Sequence, residues 1–272
     1  MSALVSIIMP VYNAEEYIVE AIQSVLSQSY VCWELLVIND GSTDDTEGRI
    51  RSFDDLRIRY FKQRNMGVSA ARNVGLSCMQ GDYFCFLDAD DVMPPNSVKS
   101  RLELFLQDKR LSFVDGLVLI KNVSLSKTTE KYIPNFSGYP FSELTKLSDR
   151  CFLGNTWMIK RLKNETYRFE EGLTHSEDLL FYLNIAEQGT YAATEEVVLW
   201  YRTGNSSAMS NLEGLEHGYA EFYRAVRKAR KSSIRQRWYL KYKIIRIMVF
   251  SYLKLQHSPE DAFRVFFRYI KL

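Results

Sequence analysis

A chain of 272 residues with 46% hydrophobic and 25% charged residues can bury a real core, and this length suits one large α/β domain with or without an appendage. Its four cysteines, Cys32, Cys78, Cys85 and Cys151, form no CxxC pair and are joined by only three histidines, which argues against zinc binding and disulfide frameworks and for a reducing, cytosolic compartment. The net charge of +2 conceals an asymmetry: residues 1–221 hold 21 Lys/Arg against 31 Asp/Glu, whereas residues 222–259 hold 11 Lys/Arg and no acid, so body and basic segment present two different surfaces.

The start, MSALVSIIMP, lacks the basic region and apolar length of a signal peptide. Residues 4–11 (LVSIIMPV) read as a buried strand. A helix over about 14–28 follows, with Ile18, Ala21, Ile22, Val25 and Leu26 on one face and Asn13 with Glu16 in the pattern of a capping box. WELLVIND (33–40) is a second strand, a short helix spans about 44–53, and IRYFKQ (58–63) is a third strand. Residues 68–79 are helical between Gly67 and Gly81, and DYFCFLDADD (82–91) is a fourth strand ending in acids. Cys85 within it reads as a small buried hydrophobe.

After Pro94–Pro95 the pattern predicts a helix to about 108 and a strand near 112–120; residues 121–150 carry no assignable pattern. SEDLLFYLNIAEQG (176–189) is a helix with Ser176 as N-cap and Gly189 as C-cap, YAATEEVVLWYR (191–202) is a last strand, and the chain is helical from about 212. No apolar stretch approaches the roughly 20 residues that span a bilayer. Alternating strands and helices at this spacing specify a mostly parallel sheet flanked by helices, with ligands at the carboxyl ends of its strands. Asn13, Asp40 and Asp88 to Asp91 fall at those ends. The expected division is an α/β domain over 1–210 and a helical, basic amphipathic extension over 211–272.

Four constellations carry chemistry, each with a plainer alternative. Asp88-Ala89-Asp90-Asp91 offers hard oxygen ligands for Mn²⁺ or Mg²⁺ bridging to a diphosphate, or it is a solvated turn in which Asp91 caps the next helix. Asp40 in Asn39-Asp40-Gly41-Ser42-Thr43-Asp44 could accept hydrogen bonds from a base or ribose, or serve ordinary turn chemistry. Arg72 is the one charge in the small-residue stretch Asn65 to Gly75, and a buried arginine needs an anion or an internal partner such as Asp40 or Asp88. In His175-Ser176-Glu177-Asp178, two carboxylates open a helix; they serve its dipole, or one of them is a general base.

Taken in order, VSIIMPVYNAEEYIVEAIQSVLSQSY, ELLVINDGSTDDT, NMGVSAARNVGL and GDYFCFLDADDVMPP resemble the inverting family 2 glycosyltransferases of the GT-A fold. The resemblance is dense over residues 4–108 and thin through the SED at 176–178 and the YR at 201–202. It implies that Pro10, Tyr12 and Asp40 surround a uracil with Arg72 beside the nucleotide, that Asp88 meets the ribose, and that Asp90 binds Mn²⁺ or Mg²⁺. It further implies Asp178 as catalytic base, Glu177 as the lesser candidate, and Arg202 with Ser206 or Ser207 on a mobile loop near the diphosphate. Many relatives carry a histidine after the YR where this chain has Thr203-Gly204-Asn205.

The implied reaction moves a sugar from a nucleotide-sugar, UDP-linked by expectation, to a hydroxyl of a saccharide or lipid-linked acceptor. Dehydrogenase and P-loop readings fail for want of GxGxxG and GxxxxGK[ST]. A nucleotidyltransferase would carry a basic Gly-rich loop after strand one, and a catalytically dead scaffold would not need acids at 88, 90 and 178. The run 224–250 places Trp238, Tyr239, Tyr242, Ile245 and Val249 at helical spacing beside Arg235, Lys241, Lys243 and Arg246. It predicts peripheral attachment to the inner face of an anionic membrane, ahead of nucleic-acid binding, or else packing on the catalytic domain.

Overall fold

The computed structural model describes residues 3–162, 164–204, 211–229, 231–256 and 258–271. Strands β1 (Val5–Val11), β2 (Trp33–Asp40), β3 (Ile58–Gln63) and β4 (Tyr83–Phe86) pair in parallel in the order β3-β2-β1-β4. Every residue of β1 and β2 is buried, because both faces of the sheet are covered and the strands are therefore apolar throughout. Successive side chains alternate between two cores. Ile8, Leu36, Ile38, Phe84 and Phe86 face α3 (Val68–Cys78). Ile7, Met9, Leu35, Val37 and Cys85 share the other core with α1 (Ile18–Leu26) and α4 (Ser97–Gln107). The small residues of α3 let it lie hard against the sheet: a Cβ at Gly75 would stand 2.4 Å from Ile8 Cγ2.

Beyond β4 the sheet becomes mixed. The three-residue β7 (Met158–Lys160) runs antiparallel to both β4 and β5 (Leu111–Lys121). β5 also pairs antiparallel with β6 (Thr128–Tyr132) and, along most of its length, parallel with β8 (Thr190–Arg202). Between them lie α2 (Thr46–Arg51), α5 (Phe141–Leu144) and α6 (Glu177–Ile185). Three helices close the chain, α7 (Leu212–Lys228), α8 (Ile234–Ser251) and α9 (Pro259–Lys271), with a π-helical turn over Tyr252–Gln256. Leu212, Leu215, Phe222, Val226, Leu240, Ile244, Met248, Val265 and Tyr269 join the α3-side core. The basic segment thus packs on the α/β body along one face, and Lys243 Nζ donates to the Leu147 carbonyl at 2.7 Å. Trp238, Tyr239 and Tyr242 remain exposed on the other. No helix among the described residues is long and apolar enough to cross a membrane.

Several expected features take another form. The Asn13–Glu16 capping box does not exist; α1 starts at Ile18 after Tyr17. Asn13 is left-handed (φ 47°), and its Oδ1 accepts from Thr43 N at 2.8 Å, while Asp44 Oδ2 accepts from Glu15 N at 3.1 Å. Tertiary bonds between the two turns take the groups a cap would use. The fourth strand stops at Phe86, not 91, because Asp88–Asp91 form a turn with Asp91 N donating to the Asp88 carbonyl. Asp91 does not cap α4, whose N-cap is Asn96. α6 ends at Ile185 with Ala186 as its C-cap, so Gly189 is no C-cap; it is glycine because a Cβ there would lie 2.1 Å from Phe113 Cε2. Ser176 holds the N-cap position in a left-handed conformation (φ 60°) without a side-chain cap bond.

Candidate active site

The carboxyl ends of β1, β2 and β4 open onto two adjoining hollows. The smaller, about 220 Å³, is lined by Pro10, Tyr12, Asp40, Gly67, Val68 and Ala71 among others. Pro10 lies at the end of β1 with Tyr12 just past it, and Asp40 is the last residue of β2. Asp40 is buried and rigidly held: Oδ1 accepts from Gln63 Nε2 (2.6 Å) and Met66 N (2.9 Å), and Oδ2 from Gly67 N (2.8 Å). It is not the partner of Arg72.

The larger cleft, about 660 Å³, takes Arg72, Asp88, Asp90, Asp91, Glu177, Asp178 and Arg202 into one wall system. Arg72, fully buried in α3, donates through Nη2 to Asp88 Oδ1 at 3.0 Å and through Nη1 to Glu177 Oε1 at 3.1 Å. Its guanidinium lies 5.2 Å from the centre of the Phe169 ring, which stacks on Phe181 of α6. One arginine therefore ties the turn after β4 to the first turn of α6. It also distinguishes the two carboxylates of α6: Glu177 lines the cleft in an ion pair with Arg72, while Asp178 lines it beside Gly154.

Asp178 Oδ1 accepts from Leu179 N at 2.6 Å. Burial, then the negative charge of Glu177, raise its pKa to about 7, with Arg72 opposing. Ser176 beside it is held at positive φ, a conformation that costs a non-glycine residue energy and occurs often at working sites. Asp91, buried at the foot of the cleft, accepts from Arg202 N at 2.8 Å; burial and then the Asp88 charge push its pKa well above the ordinary carboxylate range.

Arg202 closes β8 and is also buried. Nη2 donates to Glu20 Oε2 at 2.5 Å, Nε to the Asp90 carbonyl at 2.6 Å, and Nη1 to the Val123 carbonyl. It stands at the rim of the cleft as a built structural tie. Ser206 and Ser207 lie outside the described residues.

Pattern reading overlooked much of the far wall. Phe152, Leu153, Gly154, Asn155 and Thr156 line it from the unassigned middle of the chain, and Leu215 and Tyr219 line it from α7. The Tyr219 phenol is held un-ionised by burial and by the Asp178 charge. No motif marks these residues; the one local sign is Gly154, whose φ of +117° suits glycine.

The donor set suits a hard divalent cation shared with a substrate. Asp88 and Asp90 supply carboxylate oxygens at the cleft, and among the described residues no three His, Cys, Asp or Glu groups converge to hold a metal on their own. Partial protein ligation completed by phosphate oxygens is how Mg²⁺-type ions are commonly bound.

A parallel sheet with acids at its carboxyl edge, extended by a mixed half, is the arrangement expected of a GT-A glycosyltransferase. The chain belongs to glycosyl transferase family 2, whose family description matches residues 6–167. It is 33% identical over 213 residues to the UDP-Glc:alpha-D-GlcNAc-diphosphoundecaprenol beta-1,3-glucosyltransferase WfgD of Escherichia coli, covering 76% of this chain and 80% of that one. In fold it is similar to S. aureus TarS 1-349, with a TM-score of 0.71, 18% identity, and coverage of 99% of this chain and 81% of that chain. It is likewise similar to the mannosyltransferase PcManGT of Pyrobaculum calidifontis, solved with GDP-Man and Mn²⁺, with a TM-score of 0.65, 19% identity, and coverage of 91% and 71%.

Proposed function

We propose that this enzyme transfers a hexosyl or N-acetylhexosaminyl group from a UDP-sugar to a hydroxyl of a saccharide or lipid-linked acceptor, with inversion at the anomeric carbon. The observation that carries the reading is the gathering of Asp88, Asp90, Glu177 and Asp178 in one cleft, with Asp88 and Glu177 both paired to the buried Arg72. The E. coli relative is named for a UDP-sugar donor, a diphosphoundecaprenol-linked acceptor and a β-linked product, which supports the donor and acceptor classes.

Pro10, Tyr12 and Asp40 form the wall of the uracil pocket, with Asp40 pre-oriented by its three donors. Asp88, held by Arg72, faces the ribose. Mn²⁺ or Mg²⁺ on Asp90, when bound, would neutralise the charge developing on the departing UDP. Asp178 takes the proton of the acceptor hydroxyl as its oxygen attacks, and its raised pKa suits a base that works near neutral pH. Attack opposite the leaving group needs no covalent intermediate, so an α-linked donor yields a β-glycoside. Phe152 to Thr156 and Tyr219 form the wall where the acceptor is received. In this reading the basic segment 222–259 holds the enzyme peripherally on the cytoplasmic, anionic membrane face, where a lipid-linked acceptor is presented. A screen of UDP-sugars for hydrolysis, followed by product analysis on diphosphate-lipid acceptors, tests the reaction; hydrolysis of none would overturn it.

A further inference from the structure

α9 carries an apolar face that neither the core nor the basic segment explains. Phe263, Phe266, Phe267 and Ile270 recur at i, i+3, i+4 and i+7 and are 66%, 40%, 44% and 48% exposed, while Ala262, Val265 and Tyr269 fill the core from the opposite stripe. The ring centres of Phe263 and Phe267 are 4.6 Å apart and those of Phe266 and Phe267 are 5.5 Å apart, so the outer stripe is a pre-assembled cluster. It continues onto α8. Lys241 Nζ donates to the Ile270 carbonyl at 2.8 Å and stands 5.5 Å from the ring centre of Trp238, which is itself exposed, as is Tyr242 one turn on.

Charge decides what covers this face. Residues 222–259 hold 11 Lys/Arg and no acid, and Arg235 and Arg246 of α8 are exposed. The acids of α9 sit in its first turn: Asp261 is already tied to Arg264 at 3.1 Å, and Glu260 stands exposed one turn before Phe263, as a lone acid at the end of the stripe farthest from Ile270. A second copy of the chain would bring its own cations against these; an anionic lipid surface complements them. Apolar residues on one side of a helix with cations beside them are the arrangement that lies in a membrane interface.

We propose that the phenylalanine stripe of α9 inserts into the headgroup–acyl boundary of an anionic bilayer, with Trp238 and Tyr242 at headgroup depth and the α8 cations on lipid phosphates. The proposal rests on the membrane-attachment reading above and assigns its hydrophobic part to α9, outside the segment in which charge alone points to a membrane. Two terms then hold the enzyme: a salt-sensitive one from α8 and a salt-resistant one from α9.

The full chain and its Phe263→Ser/Phe267→Ser variant are sedimented with vesicles of phosphatidylglycerol and phosphatidylcholine at about 0.15 M and about 1 M salt, where exposed charges are screened beyond roughly 8 Å and 3 Å. The variant should partition at least ~10-fold less, since each ring forfeits the transfer of a large apolar side chain, and its remaining binding should vanish at high salt. An Arg235→Glu/Arg246→Glu variant should keep the salt-resistant share. A Phe266→Ser/Ile270→Ser pair should repeat the loss, and thermal melts and UDP-sugar hydrolysis in solution should be unchanged throughout. Wild-type partition by both serine variants would overturn the proposal. So would no vesicle binding by the native chain, or a dimer in light scattering that the serine variants dissolve. Binding is read without turnover, so an enzyme that binds vesicles yet hydrolyses no UDP-sugar would refute the glycosyltransfer reading alone.

Discussion

Replacing Asp178 by Asn should move activity and stability in opposite directions. Folding raises the Asp178 pKa from 3.8 to about 7, through burial first and then the Glu177 charge. At about 1.36 kcal/mol per tenfold change in proton affinity, carrying the ionised form in the fold costs up to about 4 kcal/mol. Asn resembles the protonated acid and removes that cost. Between pH 4 and pH 7 the folded chain keeps a proton that the unfolded chain has released, so native stability falls as pH rises through this window. The Asn variant should therefore gain nothing at pH 4 and the full increment at pH 8, roughly 5 °C or more in Tm for a chain of this size. Its kcat should drop at least roughly 100-fold, the lower end for a lost general base. The native enzyme should gain rate as pH rises through 7 while the variant stays flat. Scanning calorimetry at the two pH values, with single-turnover assays across them, checks both halves. An Asn variant that is less stable at pH 8, or that keeps turnover within about tenfold of native, would refute the assignment.

Chelation with EDTA should abolish transfer and Mn²⁺ or Mg²⁺ restore it, and Asp90→Asn should weaken donor binding in isothermal titration by at least roughly tenfold. Arg72→Met should leave Glu177 and Asp88 without their shared partner, costing about 3 kcal/mol in denaturant melts and raising KM for the donor more than Arg72→Lys. Gly154→Ala should lower kcat with little change in UDP affinity. Its φ is +117° and its new methyl would stand 3.8 Å from Asp178 Oδ2, a conformation that costs a non-glycine residue about 1–3 kcal/mol.

The first hundred residues were readable because each element there is specified locally. Apolar runs such as IIMPV and LLVIND mark strands covered on both faces, and Gly67, Gly75 and Gly81 punctuate the third helix. Where polar side chains had a choice of partner, local reading failed. Asn13, expected to cap α1 with Glu16, bonds instead across to the 43–45 turn, as does Glu15, and Asp91 serves Arg202 instead of α4. The far wall of the cleft was opaque for a different reason. β7 has three residues and α5 four, too short for any periodicity, and Phe152 to Thr156 reach the cleft only because those short elements bring them there. The pairing of Arg72 was legible as a need for an anion; that Glu177 would answer it from 105 residues away was not.

The tie made by Arg202 also has a consequence for the order in which this molecule can assemble. Asp91 lies 111 residues before the backbone N–H that satisfies it, and the Asp90 carbonyl lies 112 before the guanidinium it accepts from. A nascent chain that has emerged only through β4 and α4 can pair its four parallel strands and join Arg72 to Asp88, but its acidic turn then lacks the bonds that Arg202 gives Asp90 and Asp91 in the folded state. Such long-range closures form late, since loop-closure entropy is paid before the contact is gained. The parallel four-stranded half is thus a scaffold first, and its acidic turn is completed only after β8 has threaded in beside β5. During synthesis, the tie from Arg202 to Asp90 and Asp91 is therefore made only after Phe152 to Thr156 and the carboxylates of α6, all encoded before β8, have emerged.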